Sequence, residues 1–496
     1  MFQPVIGLEI HAQLLTRTKI FCGCEAAYGA RPNTHVCPVC LGMPGTLPVL
    51  NATAVEMAAR AALALNCTVH ERSVFARKNY FYPDLPKGYQ ISQYDQPLAT
   101  GGWIELENSS RLSFPGSDSD RENSTGKSLR VGITRVHLEE DAGKSLHHGF
   151  PDSDRATYVD CNRAGVPLVE IVSEPEMRSA AEASAFFSRL RQILMTIGVN
   201  DGNMEEGSLR CDVNVSMRPA GTAALGTKTE IKNVNSFRFL RRAIEHEIAR
   251  QTALLEKGDA VRQETRLWDS AAGATVSMRS KEEAQDYRYF PEPDLPPLRL
   301  DRTWIENLRS TLPELPEARV ARLMRDHGLG PYDADTLVRA IDGGADYFEA
   351  AVAAGAPAKA AANWTLGDVQ RAIKERPALS LAAFAGRVPP AALAELLGLL
   401  ESGRIGGPVA KQVFERMADH GGSPTAIVEA EGLARIADEG ALEAMVDAVL
   451  AAHPAAVAEF RAGKAQTFGF LVGQVMRASK GRADAGSVNA LLKKKL

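Results

Sequence analysis

A cluster of prolines divides this chain into two parts of different composition. Residues 291–297 read PEPDLPP. Proline fixes φ and lacks a backbone donor, so neither a helix nor a central strand can run through this segment. The residues before it contain many Gly, Asn and Tyr in short alternating runs, whereas the residues after it are rich in Ala and Leu. We therefore predict a domain boundary between residues 293 and 294.

A second, weaker break divides the Ala- and Leu-rich part. Residues 402–408 read SGRIGGP, a glycine-rich interruption of two helical blocks. A chain of 496 residues is long enough for several domains. The sequence thus predicts a first domain over residues 1–293, a helical domain over 294–405 and a helical tail over 406–496.

Alternating polar and apolar residues predict strands in the first domain. In residues 5–14 the apolar residues share one face, while Glu9 and His11 share the other. The same pattern over residues 208–217 and 131–139 places Asp212 on one polar face and Arg135, His137 and Glu139 on another. Helices are predicted after the capping residues Ser179 and Ser236. Strands and helices without strict alternation indicate an α+β fold with a largely antiparallel sheet.

The charge balance excludes a general polycation. There are 57 basic and 61 acidic residues, a net charge of −4, so contact with nucleic acid requires a local patch. Residues 461–496 provide one candidate, with eight basic residues and one acid. This density of basic residues is typical of a segment that contacts a phosphate backbone. The alternative is a solvated tail without a ligand. The sequence shows neither a secretory leader nor a run of apolar residues long enough for a bilayer, so we expect a cytoplasmic protein without membrane contact.

The spacing of the cysteines indicates a metal site. Seven cysteines, an odd number, argue against a disulfide framework. Two close pairs, Cys22 with Cys24 and Cys37 with Cys40, supply four soft ligands that can surround one zinc ion. Four thiolates would close the coordination shell, so this zinc would be structural. The alternative is four unrelated buried thiols.

No standard phosphate-binding loop is present. Residues 126–128 and 143–145 both read GKS, but Arg121 and Leu138 stand where a P-loop requires glycine. Binding of a nucleotide would therefore depend on carboxylates that hold Mg²⁺ and on basic side chains that neutralise phosphate. Residues on the polar strand faces and near strand ends are candidates, or else solvated surface, namely Glu9, His11, Glu139, Glu205, Glu206 and Asp212. Residues 77–90, rich in aromatics and proline, indicate a functional loop or a packed Ω-loop.

Several longer motifs carry a family resemblance. The matching segments are residues 7–11 (GLEIH), 77–84 (RKNYFYPD), 137–144 (HLEEDAGK), 170–175 (EIVSEP), 204–212 (MEEGSLRCD), 286–294 (DYRYFPEPD) and 468–474 (FGFLVGQ). Together they closely resemble the family of B subunits of aspartyl/glutamyl-tRNA amidotransferases, over essentially the whole chain.

The resemblance implies an enzyme that repairs misacylated tRNA. In this family ATP phosphorylates the side-chain carboxylate of Glu on tRNA(Gln) or of Asp on tRNA(Asn), and ammonia then displaces phosphate. Mg²⁺ offsets the charge of the transferring group. The implied architecture is a glutamine-synthetase-like catalytic cradle, a helical domain and a helical tail that binds tRNA, which gives the basic C-terminus a ligand.

The resemblance also implies roles for individual residues. The Mg²⁺ ligands would be Glu9, His11, Glu139, Glu206 and Asp212, the nucleotide would contact Glu206, Arg210 and Asp212, and the catalytic residues would be Lys78, Lys87, Glu139 and Arg210. The two lysines would lie where ammonia reaches the activated ester. Desolvation there would lower a lysine pKa and keep ammonia unprotonated.

Implied partners are a glutaminase A subunit, a small C subunit, the misacylated tRNA and, in some settings, a non-discriminating aminoacyl-tRNA synthetase. The chain lacks an amidase-type signature, so ammonia would come from the A subunit. Two alternatives stay open: a non-catalytic tRNA-binding scaffold, and a free-standing ATP-dependent amide ligase for a small molecule, which the basic tail disfavours. Residues 113–128 resemble an extra surface loop, to which we assign no function.

Overall fold

Two units of different architecture make up the chain, Met1–Leu315 and Pro316–Leu496. The computed structural model describes residues 2–106, 128–147, 149–280, 287–376, 379–436, 438–479 and 482–496. Residues 113–127 of the extra loop lie outside this set. Among these residues, strands occur in the first unit and helices form the regular structure of the second, so the α+β class with a largely antiparallel sheet is confirmed.

The first unit is built on a nine-stranded sheet. Its strands and those of the smaller sheets are β1 (Phe2–Gln13), β2 (Thr68–Val69), β3 (Arg72–Ser73), β4 (Ala76–Asn79), β5 (Tyr89–Ser92), β6 (Ala99–Leu106), β7 (Leu129–Glu140), β8 (Lys144–Leu146), β9 (Tyr158–Asp160), β10 (Pro167–Ser173), β11 (Leu209–Pro219), β12 (Thr229–Lys232), β13 (Glu264–Asp269), β14 (Ala274–Ser280), β15 (Phe290–Pro291) and β16 (Leu298–Arg299).

The order in the large sheet is β14-β13-β12-β11-β1-β10-β7-β6-β2. Neighbouring strands are antiparallel except β12 and β13, which are parallel. The smaller sheets pair β15-β4-β5, β16-β3 and β8-β9. β1 is central, and the predicted strands over residues 5–14, 131–139 and 208–217 are confirmed as β1, β7 and β11.

Helices cover the apolar side of this sheet. They are α1 (Ala52–Ala64), α2 (Ala180–Thr196) and α3 (Phe237–Glu256), followed by α4 (Arg302–Ser310). Ile6, Leu8 and Ile10 of β1 are fully buried in one core with these helices. Since successive strand residues point to opposite faces, Glu9 and His11 are left on the polar side, where the candidate site lies.

The predicted caps start both long helices. Ser179 Oγ accepts from Glu182 N at 3.1 Å, and Ser236 Oγ accepts from Phe239 N at 3.1 Å. The Glu182 carboxylate reaches back to Arg178 N at 2.6 Å. These bonds satisfy backbone donors that the first helical turn leaves free.

The division between units follows Leu315 rather than residue 293. After the prolines, β16 pairs with β3, and α4 buries Ile305 and Leu308 in the core of the first unit. The prolines therefore end local elements, but the chain stays packed on the same domain for one further helix.

The second unit contains helices with two separate cores. Its helices are α5 (Pro316–His327), α6 (Pro331–Asp335), α7 (Gly344–Ala353), α8 (Ala358–Trp364), α9 (Gln370–Lys374), α10 (Leu381–Ala385), α11 (Pro390–Glu401), α12 (Gly407–His420), α13 (Pro424–Ala430), α14 (Glu439–Ala452), α15 (Pro454–Arg461), α16 (Gln466–Ala478) and α17 (Ala485–Lys495), with π-helical turns at Thr336–Ala340 and Thr365–Val369.

The predicted boundary between residues 405 and 406 falls inside the first of these cores. The glycine-rich break does separate α11 from α12, but Leu396, Val413 and Val428 from α11, α12 and α13 are buried together. A separate core begins with Leu442 of α14 and ends with Leu492 of α17. Packing therefore divides this unit after α13.

Among the described helices, none alone is long and apolar enough to cross a membrane. α14 and α15, which meet at 89°, satisfy the length and composition criteria only as a bent pair.

A buried carboxylate anchors α3 to the edge of the sheet. Glu247 is fully buried, and its Oε1 accepts from Arg250 Nη2 at 2.6 Å and from Gln251 Nε2 at 2.9 Å. Its other oxygen accepts from Thr275 Oγ1 at 3.0 Å and lies 3.6 Å from Arg266 Nε. Removing one partner of such a buried pair leaves the opposite charges uncompensated.

We expect Glu247→Ala to lower the free energy of unfolding of the first unit by about 3–5 kcal/mol. The control is Glu245→Ala on the same helix, whose side chain is 56% exposed and which should change stability by less than about 1 kcal/mol. Urea unfolding followed by circular dichroism measures both. Equal stability of the two variants would contradict this account of the anchor.

Candidate functional site

Histidine and carboxylate side chains meet on the polar face at the centre of the sheet. His11 on β1 lies opposite Glu170 on β10, and Glu170 lies opposite His137 on β7. Directly opposite residues have Cβ atoms about 5 Å apart, so the strand register alone brings these three side chains together. Glu9 and Glu139 flank the row from the same strands, β1 and β7. We call these five residues the His–Glu cluster.

The cluster is tight enough to hold metal. His11 Nε2 lies 3.4 Å from Glu170 Oε2, 3.6 Å from Glu139 Oε1 and 3.8 Å from Glu9 Oε1. His137 Nε2 lies 3.5 Å from Glu170 Oε2 and 3.8 Å from Glu139 Oε2. Two sets of three ligand atoms, each within 4.8 Å, share Glu170. Carboxylates with an imidazole suit a hard divalent cation such as Mg²⁺ or Mn²⁺.

Charged neighbours shift the pKa values of His11, Glu9 and Glu139 in the His–Glu cluster. Burial disfavours the charged form of His11, but the hydrogen bond to Glu170 and the charge of Glu139 outweigh it and raise the His11 pKa to about 9. Burial and the charge of Glu170 raise the pKa of Glu9. For Glu139, burial is outweighed by His137, His11 and a nearby lysine, which lower its pKa. A divalent cation would supply the same positive charge.

The charge of Lys78 on β4 acts on Glu139 and Glu170 of this cluster. Burial disfavours its ammonium form, but the carboxylates of Glu139 and Glu170 outweigh burial and raise its pKa above the usual value. Its Nζ lies 5.0 Å from the ring centroid of Tyr287 and 5.9 Å from that of Tyr80. The expectation that desolvation lowers a lysine pKa here is therefore wrong for Lys78, because two carboxylates lie close by.

Lys87 has a different partner. Its ammonium pairs with Glu140, whose Oε1 also accepts from Ile91 N at 2.9 Å. Gly42, from the cysteine-containing loop, packs on Lys87 so closely that an added Cβ would lie 2.5 Å from Lys87 Cγ and 2.9 Å from its Cα. A cavity of about 70 Å³ between them is lined by Lys87, Glu140 and Cys40. The cysteine loop thus shapes the surroundings of Lys87.

Arg210 lies opposite His11 on β11 and is held by a buried aspartate. Its Nη2 donates to Asp141 Oδ2 at 2.8 Å, and Gln13 Nε2 donates to the same oxygen at 2.9 Å. Burial disfavours the charge of Asp141, but Arg210 and Arg163 outweigh it and lower its pKa. Arg210 is thereby fixed beside the His–Glu cluster.

Asp212 and Glu206 occupy different positions relative to the His–Glu cluster. Asp212 lies opposite Glu9, and its Oδ2 is 2.5 Å from Lys232 Nζ, which also lies 3.3 Å from Glu230 Oε1. Glu206 is exposed in the turn before β11 and lines an open cavity of about 580 Å³. Within the described chain, no contact joins Glu206 to the His–Glu cluster. The structure thus gathers Glu9, His11 and Glu139, places Asp212 next to them and leaves Glu206 apart.

Sequence reasoning did not select four residues of this face: His137, Glu170, Asp141 and Lys232. His137 shares the predicted polar face with Glu139. Glu170 is the one charged residue of the apolar run over residues 167–172, and it is 4% exposed. A lone charge in a buried strand needs a partner, and this signal could have identified Glu170.

The four cysteines of the two close pairs converge as their spacing predicts. The Sγ atoms of Cys22, Cys24, Cys37 and Cys40 all lie within 4.8 Å of one another. Cys37 and Cys40 Sγ are 3.9 Å apart, and tetrahedral Zn–S bonds of about 2.3 Å require S···S distances of about 3.8 Å. The donor set and its spacing therefore fit one zinc ion.

Matches to known protein families extend over both units of the chain. Residues 4–306 match the family described as the GatB/GatE catalytic domain, and residues 346–496 match the GatB domain. The chain is 54% identical over 501 residues to the B subunit of the aspartyl/glutamyl-tRNA(Asn/Gln) amidotransferase of Geobacter sulfurreducens, with 100% of this chain and 99% of the relative covered. It is similar to the B subunits of the same enzyme from Anaeromyxobacter sp. strain Fw109-5 (54%) and Solidesulfovibrio magneticus (52%), with the same coverage.

Proposed function

The chain belongs to the family of aspartyl/glutamyl-tRNA(Asn/Gln) amidotransferase B subunits, and we propose that its His–Glu cluster activates the carboxylate of misacylated tRNA. The protein is a subunit of a glutamine-hydrolysing amidotransferase, a ligase that converts Glu-tRNA(Gln) or Asp-tRNA(Asn) to the amide. The observation that carries the proposal is the convergence of five metal-type ligands on one face of the sheet.

We propose a two-step reaction. An oxygen of the substrate carboxylate attacks the γ-phosphorus of ATP, the bond to the β-phosphate oxygen breaks and ADP leaves. Ammonia then attacks the acyl carbon, the bond to the phosphoryl oxygen breaks, and phosphate and a proton leave with the amide formed. Carboxylate is a poor electrophile until it carries such a leaving group, so both steps are needed.

The His–Glu cluster would hold Mg²⁺ through Glu9, His11, Glu139, His137 and Glu170. When bound, this ion supplies the positive charge that offsets the transferring phosphoryl group. Lys78 would stabilise the same negative charge from the side of Tyr80 and Tyr287. Arg210, which Asp141 orients and which lies opposite His11, would contact phosphate. Asp212 and Glu206 remain proposed nucleotide contacts. Asp212 lies next to the His–Glu cluster, whereas Glu206 lies apart from it.

We propose zinc at the cysteine site as a structural ion. The Cys37–Met43 segment folds over Lys87 through Gly42, so an ordered metal loop would help to fix that lysine. Metal analysis of purified protein should give about one zinc per chain, and Cys37→Ser should lose this zinc. The control Cys67→Ser should retain it, because Cys67 is buried and is not part of the cysteine site.

Lys87 provides a test of the second step. We expect Lys87→Ala to slow amide formation about 10²-fold while ADP release changes by less than about threefold, because Lys87 contacts Glu140 rather than the His–Glu cluster. The matched control is Lys144→Ala, an exposed lysine in β8 that should preserve both rates. Rapid-quench assays of ADP and of amidated tRNA separate the steps, and equal loss of both in Lys87→Ala would contradict the assignment.

The name of the relatives implies a complex of several subunits with tRNA. We propose a glutaminase A subunit as the ammonia source, a small C subunit and the misacylated tRNA as partners, with the basic residues of α16 and α17 among the tRNA contacts. Lys495 is already paired with Asp447 at 2.7 Å, whereas Lys493 and Lys494 of the same helix are exposed. A cytoplasmic location stays a prediction.

The test uses the chain with its A and C partners, ATP, Mg²⁺ and either glutamine or ammonium. We expect amidated Glu-tRNA(Gln) or Asp-tRNA(Asn) with both nitrogen sources, and with ammonium alone when the A subunit is inactivated. Binding of tRNA without ADP or amide under any condition would instead favour the non-catalytic scaffold.

A further inference from the structure

Lys19 is a buried lysine outside the His–Glu cluster. Its side chain is 0% exposed and is among the largest of the completely buried side chains in the described residues. An ammonium group removed from water requires a compensating negative charge or a full set of acceptors. The partners of Lys19 therefore indicate what this part of the fold is built to hold.

The contacts of Lys19 lead to the cysteine site. Its Nζ lies 3.6 Å from Cys40 Sγ and 3.3 Å from the carbonyl oxygen of Cys161. Across the described ranges of the chain, no carboxylate forms an ion pair with Lys19. The two acids that line the same small cavity, Glu140 and Asp294, form ion pairs with Lys87 and Arg77. A cysteine sulfur and one carbonyl are thus what faces this ammonium.

The loop that carries the cysteines also fixes Lys19. Lys19 N donates to Cys24 O at 2.9 Å, and the next residue, Ile20, donates to Gly165 O at 2.9 Å. Asn51 Nδ2 donates to Lys19 O at 3.3 Å. The lysine is therefore held at the start of the metal loop, three residues before the first cysteine.

The charge of a metal-loaded site explains this arrangement. Four thiolates around one divalent ion leave a net charge of −2, which is costly away from water. Hydrogen bonds to the sulfurs offset part of it, and Cys37 N already donates to Cys40 Sγ at 3.1 Å. A neutral N–H contributes a dipole, whereas Lys19 contributes a full positive charge to the same sulfur.

We propose that Lys19 is a positioning residue of the metal site: its ammonium donates to the Cys40 sulfur and offsets the negative charge of the tetrathiolate centre. The inference rests on the proposed zinc site and goes beyond it, since it assigns the metal affinity partly to a residue that is not a ligand. Partners of this kind typically change metal affinity about 10–100-fold.

The test compares full-length variants in zinc competition against a chromophoric chelator. Lys19→Met keeps the length and apolar stem of the side chain but removes the charge, and we expect zinc binding to weaken about 10–100-fold. Lys19→Gln provides a second neutral variant if the first folds poorly. Lys19→Arg should retain most of the affinity, and Lys144→Met should match the wild type because Lys144 is exposed.

A second readout separates charge compensation from a general packing role. We expect Lys19→Met to lower the unfolding temperature of the zinc-loaded chain and to leave that of the chelator-treated chain unchanged or raised. Equal lowering in both states, or wild-type zinc affinity in both neutral variants, would overturn the inference while leaving the zinc site intact. Absence of zinc binding by the wild type would overturn the zinc site and the inference together.

Discussion

Replacing Glu139 with glutamine is expected to reduce ATP-dependent phosphorylation of the aminoacyl group by about 10³-fold or more. Glu139 is 2% exposed and lies within 3.6 Å of His11 Nε2 and 3.8 Å of His137 Nε2, so it belongs to the proposed metal cluster. Glutamine keeps the shape but removes the charge that holds a divalent cation. Binding of tRNA should change by less than about twofold, because the substitution is buried in the sheet.

The matched control for this variant is Glu105→Gln. Glu105 lies on β6 of the same sheet and is exposed, with Ser128 as its partner. We expect wild-type rates from this control. ADP formation is the measured quantity, and a Glu139→Gln enzyme that retains it would remove the cluster from the chemistry and favour the scaffold alternative.

Lys78→Met is expected to slow phosphoryl transfer about 10²–10³-fold, the usual range for loss of one preorganised charge at a developing anion. The pKa of Lys78 lies above its usual value because the charges of Glu139 and Glu170 outweigh burial, which favours the ammonium form beside the cluster. Lys78→Arg should recover part of the rate, since it restores the charge against the rings of Tyr80 and Tyr287.

Single-turnover assays at saturating Mg²⁺ measure this effect, with Lys144→Met as the exposed control. If Lys78→Met phosphorylates at the wild-type rate and fails only in amide formation, Lys78 acts in ammonia transfer, as the family resemblance implies, and its assignment to phosphate is wrong.

The strands of the site could be predicted from the sequence, but their neighbours could not. Alternation in residues 5–14 places Glu9 and His11 on one polar face, and β1 confirms it. The alternation of polar and apolar residues does not, however, specify which residues of neighbouring strands lie opposite each other. That His11 meets Glu170, and Glu170 meets His137, follows from pairings between strands far apart in the chain. Long-range pairing is set by the whole core, and no short window of sequence encodes it.

Two buried charged residues could not be identified from the alternation of polar and apolar residues. Glu170 lies in a strand whose neighbours are almost entirely apolar, and Lys19 lies in a segment without a clear period. Both are buried because each meets a compensating group from elsewhere in the fold. The cysteine pairs were easier to predict, because metal ligands carry their own spacing rule.

Domain boundaries were predicted from residues that end helices and strands. The prolines at 291–297 do end regular structure, yet Ile305 and Leu308 return to the first core. The glycines at 403–407 likewise separate two helices of one core. Local breakers determine where an element stops, whereas a domain ends where buried apolar contacts stop.

The most direct measurement of the central claim is ADP formation by the assembled wild-type complex with ATP and Mg²⁺, in the presence of misacylated or deacylated tRNA. The proposed carboxylate activation predicts ADP in proportion to Glu-tRNA(Gln) or Asp-tRNA(Asn), little ADP with deacylated tRNA, and ADP formation slowed about 10³-fold or more in Glu139→Gln. ADP formed equally with deacylated tRNA, or retained in Glu139→Gln, would contradict the claim that this cluster activates the aminoacyl carboxylate.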